Sequence, residues 1–294
     1  MAPKNSFTDK HIPIPGILWM CGATIFFSLS LTLVKYIQDQ GLNAFQAVLF
    51  RQVLGVALFF PVVIAGTKLR ELKTTVPLKH GTRAVFGFLG MCTGYFALNL
   101  INIADAVALQ FTLPIFTMFC AIWLLSEKLY SHRLIATLVG FLGVLIIVRP
   151  GFSELNLGIF LAIASAATHA VSDTYARYLA RFDKLKVIML YNFLLTIPFA
   201  LLPAIIWWEP ISVDLWPYLF AFGIAGICAQ FCLTRSFSLA DASLVSPILF
   251  LRLPIVAIIG FFAFSQMPET WTWVGAGIII LATTWMARSE TRSS

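Results

Sequence analysis

His169, Asp173 and Arg177 lie four residues apart in the stretch Gly158–Tyr178, GIFLAIASAATHAVSDTYARY, which is otherwise apolar enough to cross a membrane. On a helix this spacing stacks the three side chains on one face, one turn apart. Two more arginines sit inside apolar stretches: Arg51 in Phe50-Arg51-Gln52, and Arg252 just ahead of Pro254. An ionisable group at the bilayer centre costs roughly 2.5–3.5 kcal/mol on insertion scales, so each of these must face a cavity or a partner. Arg252 falls about ten residues into its predicted span, near the midplane at ~1.5 Å per residue. It reads in two ways: as a guanidinium that binds an anionic or carbonyl group of a substrate, or as the structural ion-pair partner of Asp173. Pro254 beside it frees backbone groups that a cavity or neighbouring helix must satisfy. His169 either meets a substrate or titrates, or it is a neutral core histidine bonded to a carbonyl. Asp173 is a proton carrier or the intrahelical partner of Arg177, and Arg177 itself reads as an anchor at the cytoplasmic edge.

Uncharged polar groups join these as candidate cavity lining: Tyr95, Asn99, Gln110, Tyr191, Asn192 and Gln230. For each of them taken singly, interhelical hydrogen bonding is the alternative. Trp207, Trp208, Trp216, Trp271 and Trp273 fall at predicted span ends and read as an interfacial belt. Trp19, Phe27, Phe96, Phe111 and Trp123 are predicted to lie deeper, where some could stack on a planar ligand. The five cysteines all fall in apolar runs without a C-x-x-C pair and read as packing residues, with no metal or disulfide role. Neither a P-loop nor HExxH nor a paired-carboxylate constellation is present, so an enzyme is not expected, and no cofactor is implied.

The elements that position these residues must be membrane helices. Of 294 residues, 60% are hydrophobic and 11% charged, with a mean hydropathy of +0.89. Soluble domains carry about 25% charged residues, so this chain cannot clothe a water-facing surface and is an all-α polytopic membrane protein. The net charge of +7 reflects Lys and Arg in short loops and does not predict nucleic-acid binding. Ten spans are predicted: 14–34, 44–66, 82–101, 105–125, 133–149, 157–177, 187–208, 214–235, 242–264 and 270–287. Residues 1–12 are polar and no A-x-A cleavage site follows, so the first span is expected to remain in the protein. Sixteen of the 20 Lys and Arg fall on one side, among them Arg83, and Lys35 and Arg149 on the other. Both termini are therefore expected to be cytoplasmic.

The chain also repeats itself. A shift of 142 lays Gly16–Tyr36 on Gly158–Tyr178, with identities at Gly16/Gly158, Ile17/Ile159, Ser30/Ser172, Thr32/Thr174 and Tyr36/Tyr178. Pro61 falls on Pro203. His169 stands where Phe27 does, and Asp173 where Leu31 does. Leu113-Pro114-Ile115 recurs as Leu253-Pro254-Ile255. Two five-helix units follow, 14–149 and 157–288. Five is odd, so the second enters the membrane upside down, and the charge bias flips with it. Inverted repeats are characteristic of secondary transporters, whose substrate site lies near the midplane between the halves.

These features resemble the drug/metabolite transporter superfamily in its EamA-domain branch. The resemblance covers residues 14–288. It rests on Phe50-Arg51-Gln52, on the alanine-rich run from Ile103 to Pro114 closing in Leu125-Ser126-Glu127-Lys128, and on Gly140-Phe141-Leu142-Gly143 ending in Val148-Arg149-Pro150-Gly151. The resemblance implies a structural or gating role for Arg51. The prolines Pro114 and Pro254 are grouped with it. The usual glutamate of the ninth helix is shifted into Gln266-Met267-Pro268-Glu269. Ser238-Leu239-Ala240-Asp241-Ala242 and the Pro268-Glu269 exit are most similar to the group of S-adenosylmethionine uptake and riboflavin transporters.

The expected function is secondary transport of a small polar, planar or heteroaromatic metabolite, such as riboflavin or S-adenosylmethionine, by alternating access across the inner membrane. An exporter of amino acids or their derivatives is the alternative within transport, and a membrane scaffold the alternative outside it. The expected partners are a small-molecule substrate and the lipid bilayer. A homodimer is compatible with the sequence and not required by it.

Overall fold

The computed structural model describes residues 13–65, 72–125, 131–148, 156–239 and 246–293, and among them every regular element is helical. In chain order these are α1 (Pro13–Asp39), α2 (Ala44–Ala65), α3 (Pro77–Leu100), α4 (Ile103–Gln110), α5 (Leu113–Leu125), α6 (Ser131–Val148), α7 (Leu157–Leu179), α8 (Leu185–Ile206), α9 (Trp216–Leu239), α10 (Arg252–Phe264) and α11 (Thr270–Ser293). Short 3-10 segments, Val213–Leu215 and Ser246–Leu251, lead into α9 and α10. Among the described residues six stretches are long and apolar enough to cross a membrane by length and composition: Ile14–Asp39, Ala44–Pro61, Ile103–Leu124, Leu157–Leu179, Lys186–Ile206 and Val213–Leu233. Leu138–Ile147, Arg252–Phe264 and Thr270–Ala282 are shorter apolar helices. Large apolar side chains face outward, with Trp123 83%, Phe262 80% and Leu281 70% exposed. Water would penalise that surface and lipid does not. The chain is a multi-pass membrane protein.

Small residues and hydroxyls hold the helices together, as expected where the surroundings are as apolar as the core. The main pairings are α1 with α9, α3 with α7, α2 with α8, α6 with α11, and α4 with α10. Ser30 Oγ donates to Phe222 O at 3.3 Å, joining α1 to α9, and Ser172 Oγ donates to Arg83 O at 3.1 Å, joining α7 to α3. Ser30 and Ser172 are one of the identical pairs of the sequence match, and each bonds a backbone carbonyl of the helix it packs on. Where α6 crosses α11 the two backbones touch. A Cβ on Gly143 would lie 2.8 Å from Gly275 O, and one on Gly275 would lie 2.5 Å from Gly143 O.

Four expectations need correction. The predicted span 105–125 is two helices, α4 and α5. Pro114 has no N–H for the Gln110 carbonyl. The chain tightens there instead: Phe111 and Thr112 N–H reach Ala108 and Leu109 carbonyls, both at 3.1 Å, and Thr112 Oγ1 adds a bond to Leu109 O at 2.7 Å. Likewise the described part of span 242–264 is a 3-10 segment that becomes α-helical only at Arg252. Arg83 is not a loop residue. α3 starts at Pro77, in the first-turn position that proline favours, so Arg83 lies inside the helix and buried. Lys35 is also buried, on α1, where its Nζ bonds Asp39 Oδ1 at 2.5 Å. Ser126-Glu127-Lys128, Arg149-Pro150-Gly151 and Ala240-Asp241-Ala242 lie outside the described residues.

Candidate functional site

Two helix breaks meet in the interior. Gln110 is the last residue of α4, just before the break ahead of Pro114, and Arg252 is the first of α10, just after the 3-10 segment. Arg252 Nη1 donates to Gln110 Oε1 at 3.5 Å, so the two interrupted helices touch through these side chains. The Arg252 guanidinium also lies 5.6 Å from the Phe27 ring centroid on α1, within cation–π range. Its Nε is buried with no acceptor. Pro254 is the third residue of α10, in a first turn whose N–H groups have no intrahelical partner anyway. It therefore fixes the helix start and does not free groups mid-helix, contrary to expectation. Pro114 likewise is the second residue of α5, its side chain outside those described.

Arg51 points into the bundle. Its Nη1 donates to Tyr95 Oη at 3.0 Å and approaches Met91 Sδ at 3.8 Å, both on α3. Its Nε packs over Gly226 of α9, where a Cβ would come within 2.9 Å. Gln230 lies one turn along α9 from that glycine and is half-buried. Tyr95 is buried and meets Phe222 edge-on at 6.0 Å. His169 is pressed against α3, for a Cβ on Gly90 would fall 2.8 Å from its ring. Arg51 and Arg252 both lie within electrostatic reach of His169, and of each other. Arg51, Tyr95, Gln110, His169 and Arg252 thus form one cluster drawn from α2, α3, α4, α7 and α10.

Other expected site residues stand apart. Asp173 is exposed, and its electrostatic partners are Arg83 and Arg177. Among the described residues Asp173 does not pair with Arg252: it sits one turn below His169, on the side of α3's start. Asn99 is exposed in the last turn of α3. Tyr191 packs on His80, with centroids 4.8 Å apart. Asn192 faces Gly87, its Oδ1 3.8 Å from where a Cβ would stand. Trp123 is exposed, whereas Trp19 is only partly so and meets Phe231 of α9 edge-on at 5.8 Å.

Two cross-links close the ends of the bundle. At one end Asn43 Nδ2 donates to Trp207 O, and Gln46 Nε2 donates to Glu209 O at 2.8 Å. At the other, Asp183 Oδ2 accepts from Thr74 Oγ1 at 2.6 Å and bonds His80 Nε2 at 2.8 Å. Each set joins a helix start and the residues ahead of it to a loop far along the chain. Sequence reasoning missed His80, Asp183, Gln46 and Arg83. Pro77 was the available signal, since a helix beginning there encloses His80 and Arg83.

Comparison with known proteins supplies the context. The description "EamA-like transporter family" matches residues 14–149 and again 156–288. An S-adenosylmethionine uptake transporter of Rickettsia prowazekii is 29% identical over 279 residues, covering 95% of this chain and 94% of its own. A riboflavin transporter of Vibrio cholerae is 29% identical over 289 residues, 97% of each chain. A riboflavin transporter of Brucella anthropi is 31% identical over 255 residues, covering 83% of this chain and 88% of its own. A solved structure described only as a crystal structure of a protein aligns with a TM-score of 0.66 at 19% identity, over 93% of this chain and 97% of that one; it speaks for the fold alone. With its two family matches, apolar helices and full-length relatives, this chain belongs to the EamA-like transporter family.

Proposed function

We propose that this chain is a secondary transporter that moves a small polar, planar metabolite of the riboflavin or S-adenosylmethionine kind across the inner membrane by alternating access. The observation that carries the reading is the cluster of Arg51, Tyr95, Gln110, His169 and Arg252 where two broken helices meet. Interrupted helices that converge on polar side chains inside a membrane bundle are a hallmark of substrate sites in transporters. The relatives named as an S-adenosylmethionine uptake transporter and a riboflavin transporter favour that substrate size.

In this reading the chain crosses the membrane ten times as two inverted five-helix units, 14–149 and 157–288, with both termini cytoplasmic. Three observations support it. The family match falls twice. The helix pairings map onto themselves when the units are exchanged: α1 with α9 becomes α7 with α3. The charge bias inverts between the halves. The two end cross-links then act as alternate gates, and Asp173 carries the proton that couples the cycle.

Arg252→Met and His169→Phe test the reading. A transporter loses flux in both while each still folds and reaches the membrane. A scaffold keeps its function with both substitutions at normal expression, and that outcome sinks the proposal.

A further inference from the structure

Among the described residues the central cluster carries positive charge and no carboxylate. Arg51 meets a phenol and a thioether, and Arg252 meets an amide oxygen and a ring face. Arg252 Nε lacks an acceptor altogether. His169 stands beside both and adds no negative charge. The nearest acid on its helix, Asp173, answers to Arg83 and Arg177 instead. Five N–H donors on each guanidinium are only partly used.

Two guanidinium groups held in an apolar bundle without counter-ions favour a ligand that supplies oxygen acceptors, and oppose one that brings further positive charge. Aromatic rings pack beside the same side chains. Phe27 lies under Arg252, and Tyr95 sits edge-on to Phe222. We propose, resting on the transporter reading above, that this site selects planar ligands that present carbonyl or carboxylate oxygens at zero or negative net charge, and that Arg51 and Arg252 together exclude net cations. The exclusion separates the two substrates named among the relatives. Riboflavin is uncharged and presents two ring carbonyls. S-adenosylmethionine carries a sulfonium and an ammonium against a single carboxylate.

The test is ligand binding by the purified full chain, read as a thermal shift against concentration. The probes are riboflavin, S-adenosylmethionine and S-adenosylhomocysteine, the last lacking only the methyl group and the sulfonium charge. We expect riboflavin to bind, and S-adenosylhomocysteine to bind about tenfold or more tightly than S-adenosylmethionine. Arg252→Gln narrows that gap and weakens riboflavin by about tenfold or more, the worth of a charge-assisted hydrogen bond. Arg252→Lys keeps the charge and loses the fork, so it retains the discrimination while riboflavin weakens; it serves also if Arg252→Gln does not fold. Equal or tighter binding of S-adenosylmethionine than of S-adenosylhomocysteine overturns the inference and leaves the transporter reading standing. Binding of none of the three overturns both.

Discussion

Replacing Asp183 with alanine removes the acceptor that ties Thr74 and His80, ahead of and within α3, to the α7–α8 turn. Its Oδ2 receives Thr74 Oγ1 at 2.6 Å and bonds His80 Nε2 at 2.8 Å. Both sides are shielded, with the His80 side chain 1% and the Asp183 side chain 8% exposed. A hydrogen bond to a charged group is worth about 1.5–3 kcal/mol net. The two bonds share one oxygen and are not additive, so we take about 3 kcal/mol for the pair. That changes the opening equilibrium at this end by about two orders of magnitude. The assay is amide hydrogen exchange over residues 76–84 and 181–188, with the far end as internal control. Exchange should rise at the His80 end alone, and Gln46→Ala should raise it at the Glu209 end alone. Unchanged exchange over 76–84, or an equal rise at both ends, refutes the idea that the Asp183 cross-link holds this end shut.

Further outcomes follow from the same geometry. Gly90→Ala puts a Cβ within 2.8 Å of the His169 ring; we expect about 1–3 kcal/mol of destabilisation, with flux reduced, and a wild-type melting temperature and flux would contradict the close approach. Ser30→Ala and Ser172→Ala each remove one bond to a carbonyl on the partnering helix, so each should cost about 0.6–1.7 kcal/mol and by similar amounts; a several-fold difference between them argues against equivalent places in the two units. Asp173→Asn should alter the pH profile of transport at unchanged expression, and an unaltered profile removes Asp173 from proton coupling.

Much of this was legible in the sequence because membrane helices announce themselves by composition. The repeat was legible too. Ser30 and Ser172 match in sequence, and each bonds a carbonyl on a helix far along the chain, at Phe222 and at Arg83. Arg252, His169, Tyr95 and Gln110 were found because polar groups are costly at membrane depth. What failed was partnership. Asp173 and Arg252 attract on paper, yet the helical turn that separates Asp173 from His169 carries it toward Arg83 instead. Arg83 was misread because a basic residue next to a loop looks like a topology signal, and only the helix start at Pro77 places it inside. Asn99 is exposed and Trp123 faces outward, because a weakly amphipathic membrane helix gives little in its sequence to tell a lipid face from an inner one. The end cross-links were invisible since they join residues more than 100 apart in sequence.

The most direct measurement is uptake by proteoliposomes that contain only this chain, with labelled riboflavin and with S-adenosylmethionine, in wild type and in Arg252→Met. The wild type should show saturable flux of riboflavin that is lost in the variant. Absence of flux for every planar metabolite tried, or equal flux with Arg252 removed, would contradict the proposed function.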